Sequence, residues 1–342
     1  MTKYKIKQTV YSFFLLLVAL TFFLKSWCIC NSLQPTTYKN ELYYSESISH
    51  GQANSVIAFA SSEKNESGLW PTFWQQTTIS CSGAFSTDTA ICIQYQGDIN
   101  ALWPFSLRSG NYPAARDQAL ISTGLAQILW GSVDVIGCTI SRRQDNQTIN
   151  VCGVFSSDDP LLCIPANSET TFNHVTLSAS NYFGVPDDFY NASFEFSQQC
   201  GLGKPFAIGW HSALIIPLLI FNLLPFLVLT FIFYSSVIRH KASDKESFYP
   251  IVTKWVLAFL LVSLLPYLLM RFPPWLIPGQ WSNVDFWTAL IQTLYKRWQE
   301  QLVFPDSIFS LWQKQLLFRA LLCTIVSSFC LKFSFKKMSS IQ

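Results

Sequence analysis

Residues 117–155 read DQALISTGLAQILWGSVDVIGCTISRRQDNQTINVCGVF. Apolar side chains at Leu120, Ile121, Leu125, Ile128 and Leu129 predict a strand that runs straight into a short amphipathic helix. Gly131 supplies the permissive backbone that ends such a helix, and Gly137 plays the same part ahead of a hairpin closing on Gly153. The stretch lies in a long polar segment flanked by hydrophobic ones, so the hydrophobic runs decide its setting.

Half of the residues are hydrophobic, Phe alone numbers 29, and only 13% are charged. Mean hydropathy is positive. These values exclude a disordered chain and favour a membrane protein. A net charge of +3 with no basic run interleaved with aromatics argues against a nucleic-acid partner.

Four segments approach the roughly 20 apolar residues that cross a bilayer. They are 10–30, 207–238, 251–271 and 315–333. Lys3, Lys5 and Lys7 precede the first, Arg239, Lys241, Lys245 and Lys254 border the second and third, and Lys332, Lys336 and Lys337 end the fourth. Positive charge marks the cytoplasmic side. The expected layout is therefore a cytoplasmic tail at 1–9, an extracytoplasmic domain at 31–206, a cytoplasmic loop at 239–250, an external loop at 272–314 and a cytoplasmic tail at 334–342. Within the external loop, Trp287, Ile291, Leu294, Trp298 and Leu302 recur at helical spacing opposite Gln292, Lys296, Gln299 and Glu300. Such a helix either lies in the membrane interface or packs on the outer domain.

The outer segment alternates β-rich runs (TTISCSGAF, TAICIQYQG, TINVCGVF, HVTLSA) with the helix near 118–130, which predicts a mixed α/β domain. Within 117–155, Gly131, Asp134, Ile136, Gly137 and Ile140, followed by Val151, Gly153 and Val154, resemble the extracytoplasmic domain of MacB/FtsX-type ABC permeases. LRSGNYPAARDQALIS, 107–122, is similar to the segment that precedes this motif in the family. The resemblance implies an α/β extracytoplasmic domain, a MacB-like periplasmic core, on a four-helix transmembrane bundle in a bacterial inner membrane. It also implies a permease that forms a homodimer or a heterodimer with another permease, and a separate ABC ATPase whose nucleotide cycle is transmitted to the outer domain for export or another envelope process. The contact for that ATPase is expected in Arg239, Lys241, Asp244, Lys245 and Glu246, although this loop is shorter than the family's usual connection and lacks its Arg- and Gly-rich segment. A multi-pass, disulfide-bonded surface receptor with no transport role is the alternative.

Eight of the ten cysteines lie at or beyond the outer end of the first span, which in an oxidising compartment predicts disulfides. Cys81 and Cys92 flank Ser86-Thr87 symmetrically, as a two-residue hairpin would place a bonded pair. Cys138 and Cys152 are a second candidate pair. No phosphate-binding loop, zinc-protease motif or nucleophile elbow is present, so the chain is expected to be no enzyme, without cofactor or metal of its own.

Overall fold

The computed structural model describes residues 3–33, 38–62, 67–102, 106–142, 147–179, 186–209, 220–221, 223–224, 228, 280, 282–304 and 307–339. The chain divides into two compact units. One comprises Met1–Pro35, Ala213–Ala289 and Ser310–Gln342, the other Thr36–Ser212 and Leu290–Phe309.

The second unit is built on a ten-stranded sheet. Its strands are β1 (Lys39–Ser49), β2 (Leu69–Ser82), β3 (Thr87–Gln96), β4 (Leu107–Gly110), β5 (Gln118–Ser122), β6 (Thr139–Arg142), β7 (Thr148–Phe155), β8 (Leu161–Pro165), β9 (Thr171–Ala179) and β10 (Ala207–Gly209). They run in the order β10-β1-β9-β2-β3-β8-β5-β7-β4, with β6 joining β2 and β7. β3/β8 and β5/β7 are parallel, and the other pairs are antiparallel.

Two cores hold this sheet. Around Leu42, Phe73, Phe172 and Val175 the apolar faces of β1, β2 and β9 meet helix α2 (His50–Ala60) and the helix Pro186–Gln199. α2 starts on a capping box, with the Ser49 side chain on the Gln52 amide and the Gln52 side chain on the Ser49 amide. The other core gathers Ile79, Cys92, Ile121, Leu125, Leu129 and Val154 around the motif stretch. There β5 enters a helix at Thr123–Trp130, whose first turn is closed by Ser122 Oγ accepting from Leu125 N at 3.1 Å. Gly131 ends it in the left-handed region at φ 67°. The helices, numbered in chain order, are α1 (Lys3–Leu33), α2, α3 (Ile99–Leu102), α4 (Thr123–Trp130), α5 (Pro186–Gln199), α6 (Val284–Val303) and α7 (Ile308–Ser339).

Four transmembrane helices were expected. Among the described residues two helices are long and apolar enough to cross a membrane, at Val10–Leu33 in α1 and Ile308–Ser334 in α7. The expected spans at 207–238 and 251–271 fall almost wholly outside the described residues. α7 also starts at Ile308, ahead of the expected 315–333.

Within the first unit, α1 and α7 run antiparallel along a seam of small residues. Ser334 Oγ donates to Ser12 O at 2.8 Å, Ser327 Oγ donates to Ala19 O at 2.9 Å, and Ser26 Oγ lies 2.8 Å from Thr324 Oγ1. Ser12, Ala19 and Ser26 recur every seven residues on α1, as do Ser334, Ser327 and Ala320 on α7, and all six are buried. Apolar burial adds little between helices in lipid, so close backbone approach and hydroxyl-to-carbonyl bonds take over. The seam has that character throughout.

The expected disulfides do not form: all ten cysteines are free. Strands β2 and β3 join through a four-residue loop, 83–86, closed by Gly83 N donating to Ser86 O at 2.9 Å, and not through a two-residue turn at Ser86-Thr87. That displacement puts Cys81 opposite Asp88 and Cys92 opposite Thr77. In the second candidate pair, Val151 N donates to Cys138 O, while the Cys152 thiol turns to Ala119 O at 3.2 Å and Asn111 O at 3.4 Å. Neighbouring side chains on a strand point to opposite faces, so Cys152 leaves the face that Val151 shares with its partner.

Burial pushes the Cys92 thiol up to about 12 and raises Cys163 as well, and it pushes the Lys39 amine, which donates to Asn100 O, down to about 8. A raised thiol contributes stability that is whole below its unfolded value and lost as pH climbs through the folded one. A depressed lysine acts oppositely, favouring the fold as pH rises from about 8 towards its unfolded value. Cys81, Cys152 and Cys200 are raised by burial too, so five thiols stand against one lysine, each contributing up to about 1.4 kcal/mol per pH unit, and stability should rise slightly above pH 8 and fall beyond about pH 9. Unfolding followed against pH, with thiol counting after denaturation, checks this. Disulfide-bonded Cys81 and Cys92 would make the alkaline limb shallower, since only Cys152, Cys163 and Cys200 would then act, and would leave the thiol count two short.

Candidate functional site

On the face of β10-β1-β9-β2, three register-matched residues stand side by side: Tyr43 on β1, His174 on β9 and Trp74 on β2. The Trp74 ring stacks on the imidazole with centroids 4.3 Å apart, and Tyr43 lies 5.0 Å away on the other side. The adjacent row on the same face carries Glu41, opposite Thr176. This row supplies polar partners: His174 Nδ1 is 2.8 Å from Glu41 Oε1, and Trp74 Nε1 donates to Thr176 Oγ1 at 3.0 Å. Glu41 is 1% exposed and His174 7%. A carboxylate and an imidazole so deeply buried stabilise one another only as a pair, since either alone is left poorly solvated.

The residues that begin α7 lie over this face. Ser307 Oγ donates to Glu41 Oε2 at 3.3 Å, Ile308 N donates to Gln76 Oε1 at 3.0 Å, and Phe309 meets Trp74 edge-on at 5.0 Å. Phe304 covers Gly209 of β10, where a Cβ would stand 3.2 Å from the Phe304 ring. Four contacts on three strands thus fasten one short segment to the sheet. Ser307 bonds the carboxylate and not the imidazole, which is not the order of a nucleophile with its general base.

Two cavities, of about 290 and 330 Å3, flank the turn at 97–100 and share Gly97 and Asp98. They lie at the small end of the usual range for ligand sites. Asp98 Oδ1 is committed to the turn itself, accepting from Asn100 N at 2.9 Å and Asn100 Nδ2 at 3.1 Å. Among the described residues no group of three or more His, Cys, Asp or Glu could hold a metal ion.

The expected coupling residues Arg239, Lys241, Asp244, Lys245 and Glu246 lie outside the described residues. The motif residues fall at turns of the second core. Gly131 and Gly137 take φ of 67° and 81°, Asp134 is exposed with its amide on Ser132 Oγ, and Gly153 backs onto Asn111 O so closely that a Cβ would come within 2.4 Å. The Glu41–His174 pair escaped the sequence reading because its members stand 133 residues apart. The one local signal is Glu41 itself, an acidic residue inside a strand whose neighbours Asn40, Leu42 and Tyr43 suit a buried surface.

No family model and no curated protein sequence matches the chain. Its fold is similar to that of the extracellular domain of the ABC-type transporter YknZ from Gram-positive bacteria, at 11% identity and a TM-score of 0.40, over 50% of this chain and 97% of that one. It is also similar to the periplasmic region of MacB from Actinobacillus actinomycetemcomitans, at 10% identity and a TM-score of 0.42, over 52% of this chain and 89% of that one.

Proposed function

We propose that this chain is a permease-like membrane subunit that passes motion between its membrane helices and its outer α/β domain, driven by a separate ABC ATPase. The observation that carries the reading is the fastening of the sheet to residues 307–309, at the entry to α7: Ser307 on Glu41, Ile308 on Gln76 and Phe309 on Trp74. β1 begins only five residues, 34–38, after α1. Both membrane-length helices therefore adjoin, in the chain, residues that belong to this face: α1 through 34–38 into β1, and α7 through 307–309, which hydrogen-bond to β1 and β2. Under this reading, motion of either helix reaches the sheet through these short connections, as a transmission device requires.

The positive flanks put both termini and the 239–250 loop in the cytoplasm of a bacterial inner membrane, with the outer domain beyond it. α1 and α7 pair antiparallel, which sets residue 12 beside residue 334 and agrees with termini on one side. Residues 239–246 are then the cytoplasmic contact for the ATPase, in a homodimer or in a heterodimer with a second permease.

The test is affinity purification of the full chain from its native membrane, with mass spectrometry of what co-elutes. A P-loop ATPase should co-purify, and Lys241→Glu with Lys245→Glu should weaken its recovery, because losing one partner of an interfacial charge pair costs about 2–5 kcal/mol. Accessibility labelling near positions 60, 150 and 290 must first show normal insertion. A correctly inserted variant that keeps its ATPase would reduce the loop to a headgroup anchor, and a wild-type chain that recovers none would end the permease reading.

A further inference from the structure

α6 turns a different side to its domain than the apolar one. Arg297 lies 3.4 Å over the Tyr190 ring of α5 and 3.0 Å from Glu300, so Glu300, expected on the free polar face, belongs to the packed side. Ile291, Tyr295 and Trp298, four and three residues apart, share another face and are 64%, 64% and 66% exposed. Gln292, Lys296 and Gln299 are exposed beside them. The helix thus has three faces: one on its own domain, one polar, and one apolar and uncovered.

We propose that this uncovered face is a membrane-interface surface, with Ile291, Tyr295 and Trp298 seated among the lipid headgroups and upper acyl chains. Chain length places it there. α6 ends at Val303 and the membrane-length stretch of α7 opens at Ile308, so four residues separate them. Four residues reach at most about 14 Å, which is comparable to the depth of a headgroup layer and its margin. Upstream, the apolar run 251–271 is followed by PPWLIPGQW, 273–281, so Trp275 and Trp281 also follow an expected membrane boundary in the sequence.

The side chains suit the setting. Tyr and Trp place an apolar ring in the acyl margin and a polar edge among headgroups, while Lys296 on the adjoining face meets anionic lipid. A second copy of the chain fits less well. Three such side chains offer about 300–400 Å2, well below the roughly 800 Å2 per partner of a stable interface. Through Arg297 on Tyr190, α6 would then hold α5 and its sheet at a set height above the membrane. This inference needs α7 to cross a bilayer and nothing from the ATPase reading.

The test uses the full chain in nanodiscs containing an alkyne-tagged phospholipid. A benzophenone amino acid replaces Ile291 or Trp298 in turn, with Gln292 and Gln299 as exposed controls and Phe13 of α1, 68% exposed, as the membrane reference. Photolysis should give lipid adducts at 291 and 298 comparable to those at 13 and severalfold above those at 292 and 299. Equal lipid labelling at all four α6 positions, or adducts at 291 and 298 joining two copies of the chain, would overturn the proposal. Absence of lipid adducts at position 13 would sink the membrane placement of the helices with it, while adducts at 13 and ATPase recovery with none at 291 or 298 would sink this inference alone.

Discussion

Replacing His174 with alanine should destabilise the outer unit by about 3–5 kcal/mol, the usual consequence of leaving a buried charge without its partner. Glu41 would keep only part of its neutralising surroundings, with Ser307 still donating to Oε2. Trp74 would lose the ring stacked at 4.3 Å. For a unit of this size the loss corresponds to a fall in melting temperature of about 6–20 °C, measured on the full chain in detergent. Glu41→Gln keeps an amide that can meet the imidazole and should cost about 1–2 kcal/mol, the range for a weakened buried hydrogen bond. The double change Glu41→Met with His174→Leu should recover much of the loss, because a well-packed apolar pair often equals a buried ionic one. A His174→Ala protein within about 1 kcal/mol of the parent would mean that the buried Glu41 carboxyl does not depend on the imidazole.

The double variant also separates stability from transmission. It restores packing but removes the carboxylate that Ser307 bonds, while the contacts of Ile308 with Gln76 and of Phe309 with Trp74 remain. If the joint transmits motion as proposed, such a protein folds and still recovers the proposed ATPase partner, yet loses whatever function that partner drives. If the joint only glues the domain together, recovering stability recovers activity.

How much of this was legible in the sequence depended on how local each signal was. The strand, helix and left-handed glycine of 118–131 appear as expected, because alternation, amphipathicity and a cap are all written within a dozen residues. The seam between α1 and α7 was legible too, though it was not read: Ser12, Ala19 and Ser26 repeat every seven residues through an otherwise large-residue helix. The Cys81–Cys92 pairing failed on a quantity the sequence leaves open. Symmetry about Ser86-Thr87 assumed a two-residue turn, whereas Gly83-Ala84-Phe85-Ser86 loops out and slides every opposing pair by four. The side of α6 that would pack was hidden for another reason. Amphipathicity predicts that the most apolar face is buried, yet Arg297 on the Tyr190 ring, a contact between residues far apart in sequence, fixed the rotation instead.

The second large effect expected is at the glycines of the motif, and it differs sharply among them. Gly131 and Gly137 take positive φ with nothing within 4 Å of an added Cβ, so alanine there costs only backbone strain, about 1–2 kcal/mol. Gly153 lacks that strain but backs onto Asn111 O, 2.4 Å from where a Cβ would stand. Its register partner Gly110 has both faults: φ is 81°, and an added Cβ would lie 2.2 Å from Cys152 O. Backbone cannot rotate away as a side chain can, so β4 would have to leave β7. Gly153→Ala should therefore cost about 1–3 kcal/mol as overpacking, and Gly110→Ala about 1–2 kcal/mol more for the left-handed backbone. Thermal unfolding of the single variants should rank them Gly110, Gly153, then Gly131 and Gly137 together. Equal losses at Gly110 and Gly131 would mean that the close approach of β4 to β7 is relaxed in solution, and that the motif glycines serve their turns alone.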